Sequence, residues 1–394
     1  MKGFKFFRVI VLLFFTFSSI FSMDFNGYLK FFAHPKLTSP FAFDRFGARF
    51  QLTFKEKREN IGFFASFNFD LDERNISRFL YKDRSSALKI YPVEAYLTIR
   101  FPNVDFKLGK QFIFWGRTDW INPTDNITPW DYTNITAEIE DYRIAVNSVK
   151  INWYFGISNI EFVFVPYFIP NETGMKIPGA ETSLPEQKPE NWQEGVRFSS
   201  GIAGINFSFS YWRGFDLFPA MVPEKGMMKI EYQKQQVFGF DFDYAIGRFV
   251  FKGEGAYFLT EDREGYNPFI KNPHLQYVLG TDYNLTENFI LNFQFIENRV
   301  LKWREGFMSP VEEKLKNSTS LRIAYKREPF YSLQLIMVYN FKDGDYFILP
   351  IFTYEIRDGI KLYMGASIFR GPEDSVFGRN KKLSKAFIEV KYFF

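Results

Sequence analysis

The chain of 394 residues contains 49 Lys and Arg against 45 Asp and Glu, two His and no Cys, and 21% of its residues are aromatic. The absence of cysteine excludes disulfides and thiol chemistry, and the nearly balanced charge gives no support for nucleic-acid binding. The aromatic content exceeds what the core of a soluble protein needs.

The amino-terminal residues 1–22 have the pattern of a secretory signal peptide. A basic stretch precedes an apolar run from Val9 to Phe21, and small residues follow up to Ser22. We predict cleavage after Ser22 and a single domain over residues 23–394; the competing interpretation is an uncleaved anchor. No later stretch reaches the 18 continuous apolar residues of a membrane helix, so the exported chain is expected to be either soluble or a barrel.

From residue 24 onward, apolar and polar residues alternate in runs of about ten. In one run, Phe46 and Ala48 alternate with Arg45, Gly47 and Arg49. A transmembrane barrel strand needs this period of two, because its polar face points into the lumen and its apolar face into lipid. The runs therefore predict an all-β fold that crosses a membrane with strands.

The connections between the runs alternate between short and long, which is typical of short periplasmic turns and long external loops. Counting the runs predicts an antiparallel up-and-down transmembrane β-barrel of 18 strands, with 16 to 20 as the accepted range. The count treats residues 227–244 as one long strand.

The most distinctive stretch extends from Leu108 to Arg143. It resembles a segment of porin-like outer-membrane families, with the pattern G-[RK]-Q…W-G…N-P-x-D, and a later stretch, 253–257, resembles another strand of such families. The resemblance implies a β-barrel channel and names no substrate. The residues that carry the pattern are Gly109, Lys110, Gln111, Trp115, Gly116, Asn122, Pro123 and Asp125.

Residues 115–137 form the longest connection that we predict, and this connection contains four large aromatic side chains. Aromatic residues packed against a barrel wall would bury roughly 150–250 Å² each, so we expect an infolded constriction loop. The alternative is an external cap whose aromatic residues pack only on each other. If the loop folds inward, four charged residues narrow the lumen and set its field. These are Arg117, Asp119, Asp125 and Asp131.

Charged wall residues are expected to complete the constriction. Asp141 and Arg143 lie two apart on a return strand predicted to begin at Glu140, so they share a face and are expected to pair with each other or with neighbours. The wall charges either form opposed acidic and basic walls or pair mutually to keep the barrel open. The wall residues assigned to the constriction are Arg45, Arg49, Arg100, Lys107, Asp141 and Arg143. The other inward-facing charged candidates are Arg197, Lys252, Arg322, Lys361, Glu94, Asp105, Glu254 and Asp282.

Other chemistry receives little support from the sequence. The oxygen atoms of Asp119, Asn122, Asp125 and Asp131 could surround a Ca²⁺ ion, but acidic loop residues are more often solvated, so we predict no metal and no cofactor. The two His residues do not adjoin a nucleophile motif, and the chain is not expected to be an enzyme.

The carboxy-terminal residues 386–394 alternate as a final strand. Tyr392 and Phe394 lie on the apolar face, and Glu389 and Lys391 lie on the polar face. This ending resembles the terminal strand of bacterial outer-membrane barrels, which implies recognition by the barrel assembly machinery through Tyr392 and Phe394.

The predicted function is therefore passive diffusion of small hydrophilic or aromatic solutes through a channel in the bacterial outer membrane, in contact with its lipid. Barrels of 16–18 strands usually leave an aqueous lumen, and a homotrimer is one expected state. The alternative is a structural or surface polysaccharide-binding barrel without a conducting path. The loop residues Trp192 and Trp303 would suit the binding of a polysaccharide. Lumen aromatics expected to offer stacking surfaces to a solute are Tyr28, Phe64, Tyr96 and Trp212.

Overall fold

The computed structural model describes residues 24–38, 42–72, 88–174, 181–224, 227–302, 317–327 and 329–394. The predicted signal peptide, residues 1–22, and Trp303 lie outside these ranges. Within the described ranges, no helix has the length and hydrophobicity that crossing a bilayer requires.

The main sheet of the described residues is a closed sheet of 18 antiparallel strands, so the predicted fold class and strand number are confirmed. Each strand pairs with the next along the chain, as in an up-and-down barrel. The strands are β1 (Asp24–Pro35), β2 (Phe43–Arg58), β3 (Ile61–Asp72), β4 (Leu88–Arg100), β5 (Val104–Gln111), β6 (Val146–Phe155), β7 (Ser158–Val165), β8 (Gln193–Ile202), β9 (Ile205–Phe215), β10 (Lys234–Ile246), β11 (Phe249–Thr260), β12 (His274–Thr286), β13 (Phe289–Val300), β14 (Ser318–Arg327), β15 (Tyr331–Asn340), β16 (Asp345–Arg357), β17 (Ile360–Arg370) and β18 (Lys385–Phe393).

The first and last strands close the barrel. β1 pairs antiparallel with β18, from Tyr28 opposite Phe393 to Ala33 opposite Ile388. Beyond the last strand, the backbones of Gly27 and Phe394 exchange two hydrogen bonds of 3.1 Å. Closure leaves the barrel sheet without an unpaired edge among the described strands, which is the condition for placing strands in a bilayer.

The two faces of the sheet differ as the alternation predicts. Large apolar side chains are exposed on one face, among them Phe31, Phe209 and Leu279. The intervening residues carry the polar and charged side chains, such as Lys30, Ser208 and Asp282 on the same three strands. The apolar face is the outer one, since a bilayer surrounds a transmembrane barrel and the polar residues line its lumen.

The connections between strands are short at one end of the barrel and longer at the other. One end has links of two or three residues, and the other has longer links, of which residues 112–145 form the longest. Both chain ends of the barrel lie at the short-turn end. We therefore call the other end the external mouth.

One predicted strand is divided. The run 227–244 was expected to be continuous, but Met227–Glu231 pairs with Ala220–Glu224 in a separate three-stranded sheet. The barrel strand begins only at Lys234. Tyr232, between the two strands, packs its ring against Phe168 at 4.9 Å. The detached strand adds nothing to the barrel, so the count of 18 is unaffected.

Candidate functional site

The 112–145 segment connects β5 to β6 and is longer than the predicted loop 115–137. The return strand begins at Val146 rather than at Glu140, because residues 139–141 form a 3₁₀ turn instead. A second 3₁₀ turn, Tyr132–Asn134, is capped by Asp131, whose side chain accepts a hydrogen bond from the Thr133 nitrogen at 3.0 Å. Asp131, a predicted pore residue, thus stabilises the fold of the segment itself.

Glu254 of β11 binds the segment through both carboxylate oxygens. One oxygen accepts hydrogen bonds from the backbone nitrogens of Arg117 and Thr118 at 2.9 and 3.1 Å and from the Thr118 hydroxyl at 2.8 Å. The other accepts from the nitrogen and hydroxyl of Thr124, both at 2.8 Å. Glu254 is 3% exposed. A buried carboxylate that accepts several hydrogen bonds fixes the groups that donate them.

Charged residues of the segment also pair with the wall beside Glu254. The Arg117 Nε atom lies 2.7 Å from an oxygen of Asp241 on β10, and its guanidinium also binds Asp243. Asp119 contacts Lys252 of β11 at 3.2 Å and accepts a hydrogen bond from the Asn292 amide of β13 at 3.1 Å. Two of the predicted pore residues therefore meet the wall of β10–β13.

The other half of the segment pairs with strands near the closure of the barrel. Asp141 lies 2.5 Å from both Lys30 of β1 and Arg49 of β2. Glu138 accepts a hydrogen bond from Lys391 of β18 at 2.8 Å. Burial raises the pKa of Asp141, but the attraction of Lys30 and Arg49 outweighs it and holds that pKa well below its usual range.

Asp141 and Arg143 do not pair with each other. The 3₁₀ turn directs Asp141 to Lys30 and Arg49, while Arg143 binds Asp125 at 2.8 Å. The Arg143 guanidinium also lies over the ring of Trp130, 4.2 Å from its centroid. Burial raises the pKa of Asp125 to about 6, although the charge of Arg143 opposes this shift.

Two apolar clusters hold the segment on nearly opposite sides of the barrel. In the first, Ile113, Trp115 and Ile127 pack on inward residues of β6, β7 and β9–β11, including Trp212 and Val237. In the second, the segment residues Ile135 and Tyr142 pack on inward residues of β15–β18, with Trp120, Ile121 and Trp130 against the same cluster. The inward wall residues of the second cluster are Ile336, Val338, Phe347, Leu349, Ile351, Phe369 and Phe387.

The aromatic residues of the segment stack in a row. Neighbouring rings from Trp120 through Tyr142, Trp130 and Tyr132 to Phe218 have centroids 5.6–6.4 Å apart and planes within 26° of parallel. Phe218 belongs to the external connection between β9 and β10. The row therefore links the segment to the external mouth.

The remaining wall candidates lie apart from one another. Arg45 binds Asp72 at 3.0 Å and reaches Asn134 of the segment at 2.7 Å. The Lys107 ammonium lies over the ring of Tyr96, 3.5 Å from its centroid. Arg100 is the cross-strand neighbour of Asp105, and no hydrogen bond joins it to the described part of the segment.

Sequence reasoning missed several site residues. Lys30 and Glu138 were not selected, because their partners come from distant strands. Tyr91 was missed because the pairing of β3 with β4 shifts between Ser66 and Phe67, which sets Tyr91 opposite Asn68 on the inner face. Its hydroxyl lies 3.1 Å from Arg49. A proline in the middle of β4, at position 92, was the available signal for such an irregularity.

A cavity of about 540 Å³ separates the segment from β2–β4. Its lining is mostly polar and includes Arg45, Arg49 and Tyr91 from the wall and Asn134 and Glu140 from the segment. It is large enough for a small hydrophilic molecule.

Two of the four predicted stacking aromatics are not available to a solute. Trp212 is 2% exposed and meets Trp115 edge to face at 6.3 Å, and Tyr28 is 8% exposed. Phe64 and Tyr96 stack on each other with centroids 5.0 Å apart. The expectation fails for Trp212 because the 112–145 segment covers the inner wall at that position.

The histidines and the loop oxygens have other partners. His34 lies 2.8 Å from Glu389, and His274 stacks on Phe258. The oxygen atoms considered for Ca²⁺ are dispersed, since Asp119 binds Lys252 while Asp125 binds Arg143. A different acidic group, Glu138, Asp141 and Glu389, surrounds the Lys30 ammonium, which contacts all three.

Neither a protein-family model nor a curated protein sequence matches the chain. Among solved structures, the barrel is similar to OccAB4 of Acinetobacter baumannii, with a TM-score of 0.56 and 11% identity over 94% of this chain and 98% of that one. Salmonella typhi OmpF in complex with daunomycin matches with a TM-score of 0.47 and 9% identity over 94% and 97% of the two chains. A mutant Rh. blastica porin matches with a TM-score of 0.45 and 12% identity over 94% of this chain and 100% of that one. The likeness to OccAB4 supports the barrel fold. Bacterial outer-membrane barrels are single chains with an even number of antiparallel strands and an outward apolar face, and this fold places the protein in that membrane.

Proposed function

We propose that this chain is a porin-like channel for passive diffusion of small hydrophilic or aromatic solutes, constricted by the 112–145 segment. The observation that carries the proposal is the attachment of the segment to inner walls on nearly opposite sides of the barrel. A chain that crosses the lumen between two walls narrows the path without closing the barrel. An 18-stranded barrel is wide enough to keep an aqueous path beside such a segment.

The polar cavity beside the segment supports hydrophilic solutes. A solute that passes between the segment and β2–β4 meets Arg45, Asn134 and Glu140, which offer both hydrogen-bond donors and acceptors. Arg45 and Arg49 are neutralised by acidic neighbours, so the cavity presents polar groups rather than one strong charge. Lumen groups of this kind tune the selectivity of a channel.

The experiment is single-channel conductance of residues 23–394 in a planar bilayer. In a second protein, residues 122–131 are replaced by a Gly/Ser linker of equal length, which removes Thr124 and Ile127 from their contacts with the wall. A matched control replaces residues 262–271 of the external connection between β11 and β12 in the same way. We expect discrete steps that grow only in the first replacement.

Other outcomes separate the alternatives. If the conductance steps are the same in both replacements as in the wild type, the protein is a channel but the 112–145 segment does not constrict it. A folded barrel that conducts in none of the three forms would contradict the channel and favour a structural or polysaccharide-binding barrel.

A further inference from the structure

We propose that a pocket at the external mouth binds a small neutral aromatic molecule that carries a hydroxyl group, a phenol. The pocket lies between the connections that follow β9 and β11 and has a volume of about 280 Å³. Binding at this site does not require conduction, so the proposed pocket can be tested separately from the proposed channel.

Apolar side chains form the walls of the pocket. Phe218, Met221, Met228 and Phe269 line it and are each between 37% and 43% exposed, and Ile270 completes one wall. Phenylalanine rings and methionine thioethers at this position favour an aromatic ligand, because sulfur and ring edges attract aromatic rings.

The size of the pocket limits the ligand to one ring with a substituent. A dry protein cavity of about 150 Å³ binds benzene, and this pocket has about 280 Å³. Drug-sized ligands usually occupy about 300 Å³ or more. A monocyclic phenol fits between these limits.

We assign the polar contact of the ligand to Thr260, one of the residues that line the pocket. Thr260 is the last residue of β11 and 5% exposed, and its Oγ1 atom has no hydrogen-bond partner among the described residues. Gln235 lies opposite Thr260 in the sheet and also lines the pocket. A buried polar atom without a partner is costly, and a ligand hydroxyl, which both donates and accepts, would satisfy it.

The charges at the rim are already engaged, which favours a neutral ligand. The Lys271 ammonium lies 2.7 Å from Asp216, and the Lys234 ammonium donates a hydrogen bond to the Glu190 carbonyl oxygen at 3.1 Å. A charged ligand would have to compete with these contacts.

Phe218 connects the pocket to the segment in the lumen. Its ring stacks on Tyr132 with a centroid distance of 5.7 Å, and Tyr132 continues the row to Trp130. An aromatic molecule held at the mouth therefore lies next to the row of rings that leads into the barrel.

The test is calorimetric titration of the whole chain in lipid nanodiscs with phenol and, in parallel, with toluene, which lacks the hydroxyl. Empty nanodiscs give the lipid partitioning to be subtracted. We expect saturable binding of both probes. Thr260→Val keeps the shape and removes the hydroxyl, so the affinity for phenol should fall about three- to tenfold while that for toluene is retained.

Two further variants test the walls. Phe269→Ala should weaken binding of both probes, whereas Phe341→Ala, in the external hairpin between β15 and β16, should change neither. Phenol uptake equal to that of empty nanodiscs would overturn the proposal. Wild-type phenol affinity in Thr260→Val would also overturn it, as would equal effects of the two phenylalanine variants. Conductance of the same samples reports separately on the channel.

Discussion

The Oε1 atom of Glu254 accepts a 2.8 Å hydrogen bond from the backbone nitrogen of Thr124, which lies 130 positions earlier in the chain. Both residues belong to stretches that stand out in the sequence, the first in a Gly-Glu-Gly strand and the second beside Asn122-Pro123. In the structure, these two stretches meet at one carboxylate. The position of the segment in the lumen therefore depends on Glu254, a strand residue far from the segment in the sequence.

Replacing Glu254 by Ala is expected to release this part of the segment. The donors on Arg117, Thr118 and Thr124 would lose their common acceptor, and unsatisfied donors cost about 1–3 kcal/mol each unless water replaces the acceptor. We expect a loss of about 2–4 kcal/mol in the free energy of unfolding, since water reaches the lumen. Single-channel conductance should rise, and urea unfolding in detergent measures the stability.

The conservative variants calibrate this result. Glu254→Gln keeps one acceptor oxygen, so its effects should lie between those of wild type and Glu254→Ala. Glu355→Gln is the matched control, because Glu355 faces the lumen from β16 and its nearest ionic partner is Lys361 at 3.8 Å. Unchanged conductance in Glu254→Ala would show that this carboxylate does not hold the constriction.

Gly116→Ala tests the same contact from the other side. A Cβ atom at Gly116 would lie 2.5 Å from both Glu254 oxygens, and the backbone there has φ of +95°. Gly156 provides the comparison, since its φ is +58° and a Cβ there meets nothing within 4 Å. Backbone strain of about 1–2 kcal/mol applies to both variants. We expect only Gly116→Ala to raise the single-channel conductance. Equal conductance in Gly116→Ala and Gly156→Ala would show that the substitution acts through backbone strain and not through the contact with Glu254.

The pKa of Asp125, about 6 through burial, predicts a pH-dependent selectivity. The unfolded-state pKa of an aspartate is about 3.9, so the folded barrel binds this proton more tightly. Asp125 therefore weakens the fold above pH 6, and this destabilisation declines as the pH falls below the folded pKa and vanishes below the unfolded-state pKa. Between about pH 7.5 and pH 5, protonation leaves the Arg143 charge without its partner. Reversal potentials in a salt gradient should then shift toward anions.

The matched variants for this prediction are both Asp to Asn changes. Asp125→Asn cannot titrate, so its reversal potential should be the same at both pH values. Asp358→Asn, in an exposed short turn, should keep the wild-type shift. A shift that persists in Asp125→Asn would assign the titration to another group.

The strand number and the two faces of the barrel could be predicted because both depend on local patterns. Alternation with a period of two assigns each side chain to a face of the sheet. On β2, for example, it places Arg49 on the inner face and Phe50 on the outer face. The division of residues 227–244 was missed because both parts continue the same alternation. They separate through tertiary contacts, namely the pairing of Met227–Glu231 with Ala220–Glu224 and the packing of Tyr232 on Phe168.

The partners within the site could not be predicted in the same way. Asp141 was expected beside Arg143 because a continuous strand would set both on one face, but the 3₁₀ turn rotates Asp141 toward Lys30. Lys30 comes from the first strand, 111 positions away, and no local pattern indicates such a pair. Segment contacts of this kind depend on the closed barrel, which brings distant strands to one lumen.

The terminal residue Phe394 is expected to act in assembly as well as in closure. Its backbone exchanges hydrogen bonds with Gly27, and its ring stacks on Phe50 with centroids 5.7 Å apart. Loss of the ring pair in Phe394→Ala should cost about 0.5–1.5 kcal/mol in the folded barrel. The resemblance to strands recognised by the assembly machinery predicts a larger defect in cells than this loss explains.

Comparing assembly with and without the machinery separates the two roles. The folded fraction is measured by heat-dependent electrophoretic mobility, after refolding in detergent and after expression in a Gram-negative host. Phe394→Ala should refold nearly as wild type in detergent but accumulate poorly in the outer membrane. Ile388→Ala removes a side chain that is 50% exposed on the same face of β18 and should have little effect in either setting. Equal defects of Phe394→Ala in the two settings would reduce its role to closure, because a recognition signal has an effect only where the machinery is present.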